Sequence, residues 1–502
     1  MRKDLFWRIP LGIFGGLLGL YAFPTENQFW IAPLIPAVIF IASLGATFPQ
    51  GLLIGFLAGQ AFYISHIEWL SLYLGPVPLL ALSTLMSFYF ALATALTSWL
   101  YGRLKPKGLG LLRFAFAASG IWTLREWLSS NFPYGGFPWS RLAMTQSGSF
   151  MGHWVYWGGM SLLSFAIALL GGLIALAVIN AKQIRRRAKL AFAITGAAAV
   201  LIPLVTPLGL GTSKIGEATI AAVQGNANAG LFSNLSQGTI LENHIAATKP
   251  VIDSGAKVDL LVWPENASDV DPLRSDLARQ KITQIADEID APFIFGTVTK
   301  RGNDTYNSTL LWEPGVGPVD YYDKRRPVPF AEYVPDREFW RLLAPDLIDM
   351  VPRGYSMGTK EGIFKLDSFD AGSLICFEIA ADNIPRGLAL AGANVILSQT
   401  NNADFGYSDE TFQQAAIARL RAMETGRVVV NISTVGLSEI YLPDGSIADS
   451  LPWYEAGAMV SKVPLYQGQT PAMSLGVWFD LINAILVFFA LATGLRKRRS
   501  RR

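Results

Sequence analysis

At 502 residues the chain is long enough for more than one domain, and its 51% hydrophobic against 16% charged residues set it apart from soluble proteins, of which about a quarter is charged. Its 41 basic and 38 acidic residues leave a formal net charge of +3, too balanced for a nucleic-acid binder. A single cysteine excludes an intrachain disulfide, and three scattered histidines, His66, His153 and His244, suggest no metal site.

A membrane-crossing helix needs about 20 mostly apolar residues. Seven such stretches are predicted at 9–24, 28–47, 50–70, 77–101, 111–130, 155–180 and 189–210, and an eighth at 473–495. Arg2, Lys3 and Arg8 precede the first as they would in a signal peptide. No small-residue cleavage site follows and further spans do, so this helix is expected to stay.

Basic residues cluster at the N-terminus, at 103–113 (Arg103, Lys105, Lys107, Arg113), at 182–189 (Lys182, Arg185, Arg186, Arg187, Lys189) and in the tail from Arg496 to Arg502. With eight spans all four clusters, and both termini, fall on the cytoplasmic side; an odd count would leave at least one on the wrong side. The expected organisation is a membrane part at 1–211, an extracytoplasmic domain at 212–470, and a last span with a basic cytoplasmic tail at 471–502. One outward loop holds Trp122, Glu126 and Trp127, then Gly135-Gly136-Phe137-Pro138-Trp139. It reads equally as an aromatic belt at the interface or as irregular backbone lining a cavity under a domain.

From Glu217 the pattern becomes short β-rich runs, predicted as strands at 218–224, 258–263, 292–297, 308–312, 371–375, 393–397, 428–432 and 458–461. Helical patterns at 271–288 and 411–426 lie among them, which argues for an α/β domain with buried strands. Polar residues mark strand ends, where α/β folds place their chemistry. Val262-Trp263-Pro264-Glu265 ends one strand with a carboxylate, and Leu374-Ile375-Cys376-Phe377-Glu378 ends another with the only thiol. A lone cysteine is either a buried small hydrophobe or a reactive thiol. A helix starting just after Cys376 would favour the thiolate and supply oxyanion-hole amides. Between the two lies the Pro-rich, charged run from Tyr321 to Pro335, which taken alone reads as a solvated loop.

Together these segments resemble the nitrilase, or carbon–nitrogen hydrolase, superfamily, whose Glu-Lys-Cys triad stands on an α-β-β-α sandwich. The run Lys324-x-x-x-Val328-Pro329-Phe330-x-Glu332-x-Val334-Pro335, the Cys376-Phe377-Glu378 triplet, the Gly136-Phe137-Pro138-Trp139 loop and Arg421-Ala422-Met423-Glu424-Thr425-Gly426-Arg427 resemble the apolipoprotein N-acyltransferase family in particular. The resemblance implies a multi-pass bundle of eight helices carrying a nitrilase-like domain, in a bacterial cytoplasmic (inner) membrane. It implies Cys376 as nucleophile, Glu265 as general base and Lys324 as oxyanion stabiliser with the Phe377 amide. Glu332 would orient Lys324 and the incoming amine, and Glu378 would shape the pocket.

The implied reaction moves a fatty acyl chain from a phospholipid, through a thioester, to the α-amino group of an S-diacylglyceryl-cysteine on an apolipoprotein. Neither cofactor nor metal is implied, and membrane lipids are the surroundings of both substrates. The alternatives are a membrane-anchored amidase or nitrilase acting on a small carbon–nitrogen substrate, and a non-enzymatic lipoprotein-binding protein, against which the intact triad speaks. Departures from the family pattern are Phe377 in place of Tyr, Asp404 in Thr400-Asn401-Asn402-Ala403-Asp404-Phe405 in place of Trp, and no Trp around 225–233.

Overall fold

The computed structural model describes every residue except Met1, Leu231, Phe232, Asn234, Leu235, Pro352, Arg353, Ser500, Arg501 and Arg502. Part of the 225–233 segment and the end of the basic tail therefore lie outside the described residues. The chain divides into two units. One comprises Met1–Ser71, Gly75–Pro207 and Pro471–Arg502, the other Leu72–Leu74 and Leu208–Thr470.

The first unit is helical. Among the described residues five helices are long and apolar enough to cross a membrane: Asp4–Ala22, Pro76–Leu104, Phe150–Ile179, Arg186–Leu204 and Pro471–Arg496. Large apolar side chains such as Leu190, Ile194, Leu486 and Phe488 are exposed on them, as an apolar surrounding requires. Three predicted spans differ. The 28–47 stretch holds only the shorter apolar helix Phe29–Ser43, which stops where Leu44 turns extended and Gly45 takes φ +82°. The stretches 50–70 and 111–130 are helical as Phe48–His66 and Gly110–Asn131, the latter carrying Arg113, Arg125 and Glu126.

Arg125 and Glu126 are buried in this unit. Glu126 Oε1 accepts from Trp122 Nε1 (2.9 Å), Arg125 Nη2 (3.2 Å) and the Leu142 amide (3.2 Å), while Arg125 Nη1 donates to the Tyr63 hydroxyl (3.0 Å). These bonds fold the loop after Asn131 back onto the helices. Trp139 is accordingly buried, 5.8 Å from the Trp69 ring. Trp139 is therefore not part of a surface belt, while Phe132 and Tyr134 at the start of the loop are exposed.

The second unit holds two six-stranded sheets. The first contains β1 (Thr212–Gln224), β2 (Leu260–Val262), β3 (Phe293–Arg301), β4 (Asp304–Glu313) and β5 (Gly317–Asp323). The second contains β6 (Ile363–Lys365), β7 (Asp370–Ile375), β8 (Val395–Thr400), β9 (Val428–Ser433), β10 (Ser438–Tyr441) and β11 (Ile447–Leu451). The last strand, β12 (Gly457–Gly468), returns to pair with β1. The orders are β12-β1-β2-β3-β4-β5 and β11-β10-β9-β8-β7-β6, with β1-β2-β3 and β7-β8-β9 parallel.

Alternation along the strands builds two cores. Ile220, Val262 and Ile294 of the first sheet pack with Ile375, Leu397 and Val430 of the second. Their neighbours Ala221, Leu261, Phe293 and Phe295 face the helices Thr239–Asp253 and Asp276–Ile289. On Asp276–Ile289 the buried residues Ala278, Ile282, Ile285, Ala286 and Ile289 repeat at helical spacing, and Ser275 caps its start by accepting from the Ala278 amide. Helices Asn383–Leu390 and Glu410–Thr425 cover the second sheet. The layers run α-β-β-α.

One buried group gives this unit a pH dependence. His244 is fully buried; its Nδ1–H donates to the Ile240 carbonyl (2.8 Å), and Nε2 meets no hydrogen-bond partner among the described residues. Burial pushes its imidazole down to about 4. An unfolded chain binds a proton here below about 6.5 and the folded one only below about 4, so folding loses stability as pH falls between those values. The difference amounts to about 3 kcal/mol at most. The thermal midpoint of the detergent-solubilised protein is expected to fall over that window, and the His244→Gln variant to lose that part of the slope.

Candidate active site

Because β3-β4 and β4-β5 are antiparallel, β5 runs in the direction of β2 and β3. Glu265, three residues past β2, and Lys324, the residue after β5, therefore leave the first sheet at one end. Cys376 directly follows β7, and β8 and β9 end beside it at Thr400 and Ser433. The two sheets are tied together at this end: Gln399 Nε2 donates to the Trp263 carbonyl (2.6 Å) and Thr434 Oγ1 to that of Glu265 (3.1 Å). Gly296 lets β3 pass close to the Glu265 segment, since a Cβ there would press into Pro264 O and Glu265 Cα.

Lys324 is buried between two carboxylates, with Nζ 2.9 Å from Glu332 Oε2, 3.0 Å from Glu332 Oε1 and 3.4 Å from Glu265 Oε1. Burial disfavours the ammonium, but Glu332 and Glu265 outweigh it and hold Lys324 above the ordinary lysine range. It is a fixed cation at every physiological pH. Asn307 of β4 bridges the same carboxylates, its Nδ2 lying 2.7 Å from Glu265 Oε1 and 3.1 Å from Glu332 Oε1. Glu332 is itself tied by the Val328 amide (2.7 Å).

Cys376 has φ +52°, in the left-handed region that a residue with a β-carbon enters only under constraint. The segment after it, Cys376–Ala380, is a single 3-10 turn, and the next α-helix starts only at Asn383. The condition under which helix amides would favour a thiolate, an α-helix starting just after Cys376, is therefore not met. The Glu378 carboxylate folds back to the Ile375 amide (2.9 Å) and tightens the chain here. The thiol is shifted in the direction opposite to the one such a helix would give. Removal from water pushes Cys376 well above its ordinary range, the negative charge of Glu265 adds to this, and Lys324 opposes it. The site thus holds a neutral thiol beside a carboxylate and an ammonium. Phe377, half-buried, lies in the same turn.

Glu378 is fully buried and collects donors from both functional strands. Oε1 accepts from the amides of Arg325 (2.8 Å) and Arg326 (3.0 Å), Oε2 accepts from Ile375, and both accept from the Tyr322 hydroxyl (2.9 and 2.8 Å). It is the clamp that sets the Lys324 segment against the Cys376 turn. Arg421 holds the other side of that turn, its guanidinium donating to the carbonyls of Ile379 (2.9 Å) and Ala380 (2.8 Å) and to Asp382 (2.8 Å), and pairing with Glu424. Glu378→Gln turns a donor-facing oxygen into an amide NH2, itself a donor, leaving at least one buried donor unmet. A loss of about 2 kcal/mol, or about 4–8 °C in thermal midpoint, is expected together with a slower first chemical step. Melting curves and single-turnover rates check this.

The structure thus brings Glu265, Lys324, Glu332, Glu378 and Cys376 to one strand end. Sequence reasoning missed Asn307, Asn402, Glu410 and Gln414. Gln414 Nε2 donates to Cys376 Sγ at 3.5 Å, and Asn402 Nδ2 donates to Gln414 Oε1 (2.8 Å) and Glu410 Oε2 (2.6 Å). Burial pushes the Glu410 carboxyl up to about 8, the Asn402 bond opposing and Glu265 adding. The available signal was polarity in the wrong place: an asparagine inside a strand and a Glu-to-Gln pair four apart on an alanine-rich helix. Among the described residues no group of three or more His, Cys, Asp or Glu is arranged to hold a metal ion.

Residues 15–173 match the apolipoprotein N-acyltransferase N-terminal domain family, and residues 219–470 match the carbon-nitrogen hydrolase family. An apolipoprotein N-acyltransferase of Mycolicibacterium smegmatis is 31% identical over 96% of this chain and 84% of its own length. One from Vibrio vulnificus is 28% identical over 100% of both. A crystal structure of an amidase from Nesterenkonia sp. aligns at 18% identity over 52% of this chain and 94% of its own, with a TM-score of 0.38.

Proposed function

Since the chain belongs to the apolipoprotein N-acyltransferase family, an acyltransferase with a carbon–nitrogen hydrolase domain, we propose that it moves a fatty acyl chain from a membrane phospholipid to the α-amino group of an S-diacylglyceryl-cysteine on an apolipoprotein, through a thioester on Cys376. The observation that carries this reading is the buried Lys324 ammonium held between Glu265 and Glu332 at the strand end where the chain's only thiol sits. Glu265 takes the thiol proton as sulfur attacks the ester carbonyl, and Lys324 stabilises the oxyanion. Collapse breaks the ester C–O bond, and the departing lysophospholipid oxygen takes the proton from Glu265. The acceptor amine then attacks the thioester. Its proton passes to Glu265 and from there to sulfur as the C–S bond breaks.

The membrane helices suit substrates that are both held in a bilayer by acyl chains, since confinement raises their encounter rate as tethering does. The reading includes eight spans, the divisions 1–211, 212–470 and 471–502, both termini cytoplasmic and the catalytic domain outside. That eight spans would put all four basic clusters on one side supports that topology. Water must be kept from the thioester for transfer to prevail.

The test is a phospholipid with a labelled acyl chain. Wild-type protein is expected to acquire a hydroxylamine-sensitive label and to pass it to a diacylated lipopeptide. Absence of the protein-bound label overturns the thioester route. A label released only as free fatty acid, with the lipopeptide present, overturns transfer in favour of a hydrolase.

A further inference from the structure

Past the triad, the thiol has one more polar neighbour whose orientation the fold fixes. We infer that Gln414 is a catalytic residue that donates its Nε2–H to Cys376 Sγ and stabilises charge on sulfur as the C–S bond forms and breaks, with Asn402 and Glu410 as the positioning residues that turn that donor toward the sulfur. The inference rests on Cys376 being the nucleophile.

The polarity follows from counting donors and acceptors. Ser433 Oγ receives the amides of Gly436 (2.8 Å) and Val435 (3.4 Å), so its own hydrogen goes to Asn402 Oδ1 (2.6 Å). Thr400 Oγ1 donates to the same oxygen (3.2 Å). Asn402 Nδ2 must then point the other way, and its two hydrogens go to Glu410 Oε2 and Gln414 Oε1. With Oε1 engaged, Gln414 can present only Nε2 to the sulfur. Asn402, Glu410 and Gln414 are all buried, and a Cβ on Gly436 would collide with Asn402 Oδ1. Glu410 and Gln414, four apart, occupy one face of Glu410–Thr425. A purely structural amide would be indifferent to which end met the sulfur; this network is not.

Burial and Glu265 both resist negative charge on this sulfur. In the first step Glu265 removes the thiol proton as the S–C bond forms. In the second the C–S bond breaks and its electron pair stays on sulfur until Glu265 returns the proton. A donor aimed at Sγ lowers the cost of both moments.

Cys376 is the only thiol in the chain, so iodoacetamide reports it alone in the full-length protein in detergent. Gln414→Met keeps length and loses the donor. It is expected to raise the midpoint of the alkylation pH profile by about one unit and to slow acylation and transfer about 10- to 100-fold. Glu410→Leu and Asn402→Asp are expected to move in the direction of Gln414→Met. A Gln414→Met protein with wild-type melting, alkylation profile and acylation rate overturns the inference. So does a fall in rates with no change in the alkylation profile. Failure of wild type itself to form the acyl label would instead overturn the thioester reading, which the alkylation profile does not depend on.

Discussion

Cys376→Ser is expected to yield no hydroxylamine-sensitive label and to slow acyl transfer by at least about 10,000-fold, the scale seen when a nucleophile is removed from a unit that works together. The reason lies in what the site is built to ionise. Its thiol starts neutral, held up by burial and by Glu265, and the same carboxylate is the group that takes the proton. A carboxylate can manage that transfer from a thiol whose acidity Lys324 and a sulfur-directed donor assist. A serine hydroxyl is a far weaker acid than a thiol, so a carboxylate base removes its proton far less readily. Serine differs from cysteine only at the γ atom and puts the same β-carbon on the φ +52° backbone, so the loss is expected to report chemistry and not a relaxed turn. Phospholipid with a labelled acyl chain, gel separation and hydroxylamine treatment give the readout. Wild-type labelling of Cys376→Ser or Cys376→Ala would remove Cys376 from the mechanism.

The strands were legible because they are buried runs. Predicted 428–432 and 371–375 match β9 and β7 nearly to the residue, since Val428-Val429-Val430 and Ser373-Leu374-Ile375 have no amphipathic alternative. β5, β6, β10 and β11 were not read. β11 and most of β5 are partly exposed, β6 is three residues long, and β5 begins the charged run that reads as loop. The residues of the Glu-Lys-Cys reading were legible from motifs, but their electrostatics were not. An α-helix after Cys376 would have lowered the thiol; a five-residue turn pinned by Glu378 and Arg421 leaves burial to dominate. Glu378 looked like a pocket residue because its donors lie on a strand end more than fifty residues away in sequence. The Asn402–Gln414–Cys376 chain was invisible for the same reason, since side-chain polarity is decided by partners that only the fold brings together. In the membrane part apolar length identifies Pro76–Leu104 at once and also marks 111–130, where the helix Gly110–Asn131 carries Arg125 and Glu126 with their charges paired inside the unit.

Lys324→Met is expected to abolish turnover and also to change the protonation of its partners. Nζ lies 2.9 Å from Glu332 and 3.4 Å from Glu265, all three residues being buried. Without the ammonium, two buried carboxylates are left with the Asn307 amide between them and the Val328 amide on Glu332, and one of them must take up a proton. If Glu265 takes it, the general base is lost along with the oxyanion stabiliser. Each role is worth on the order of 100-fold or more, so a combined fall of about 10,000-fold or greater is expected. Removing one partner of a buried ion pair also destabilises by about 3–5 kcal/mol where no proton relieves it, so the thermal midpoint should drop less as pH is lowered. The double variant Lys324→Met with Glu332→Gln separates the effects. It removes one carboxylate with the cation, leaving a single negative charge for Asn307 to satisfy, and is expected to regain most of the lost midpoint while staying inactive. Recovery of acyl-enzyme formation together with stability would mean that Lys324 serves the fold alone and that the oxyanion is stabilised by other groups.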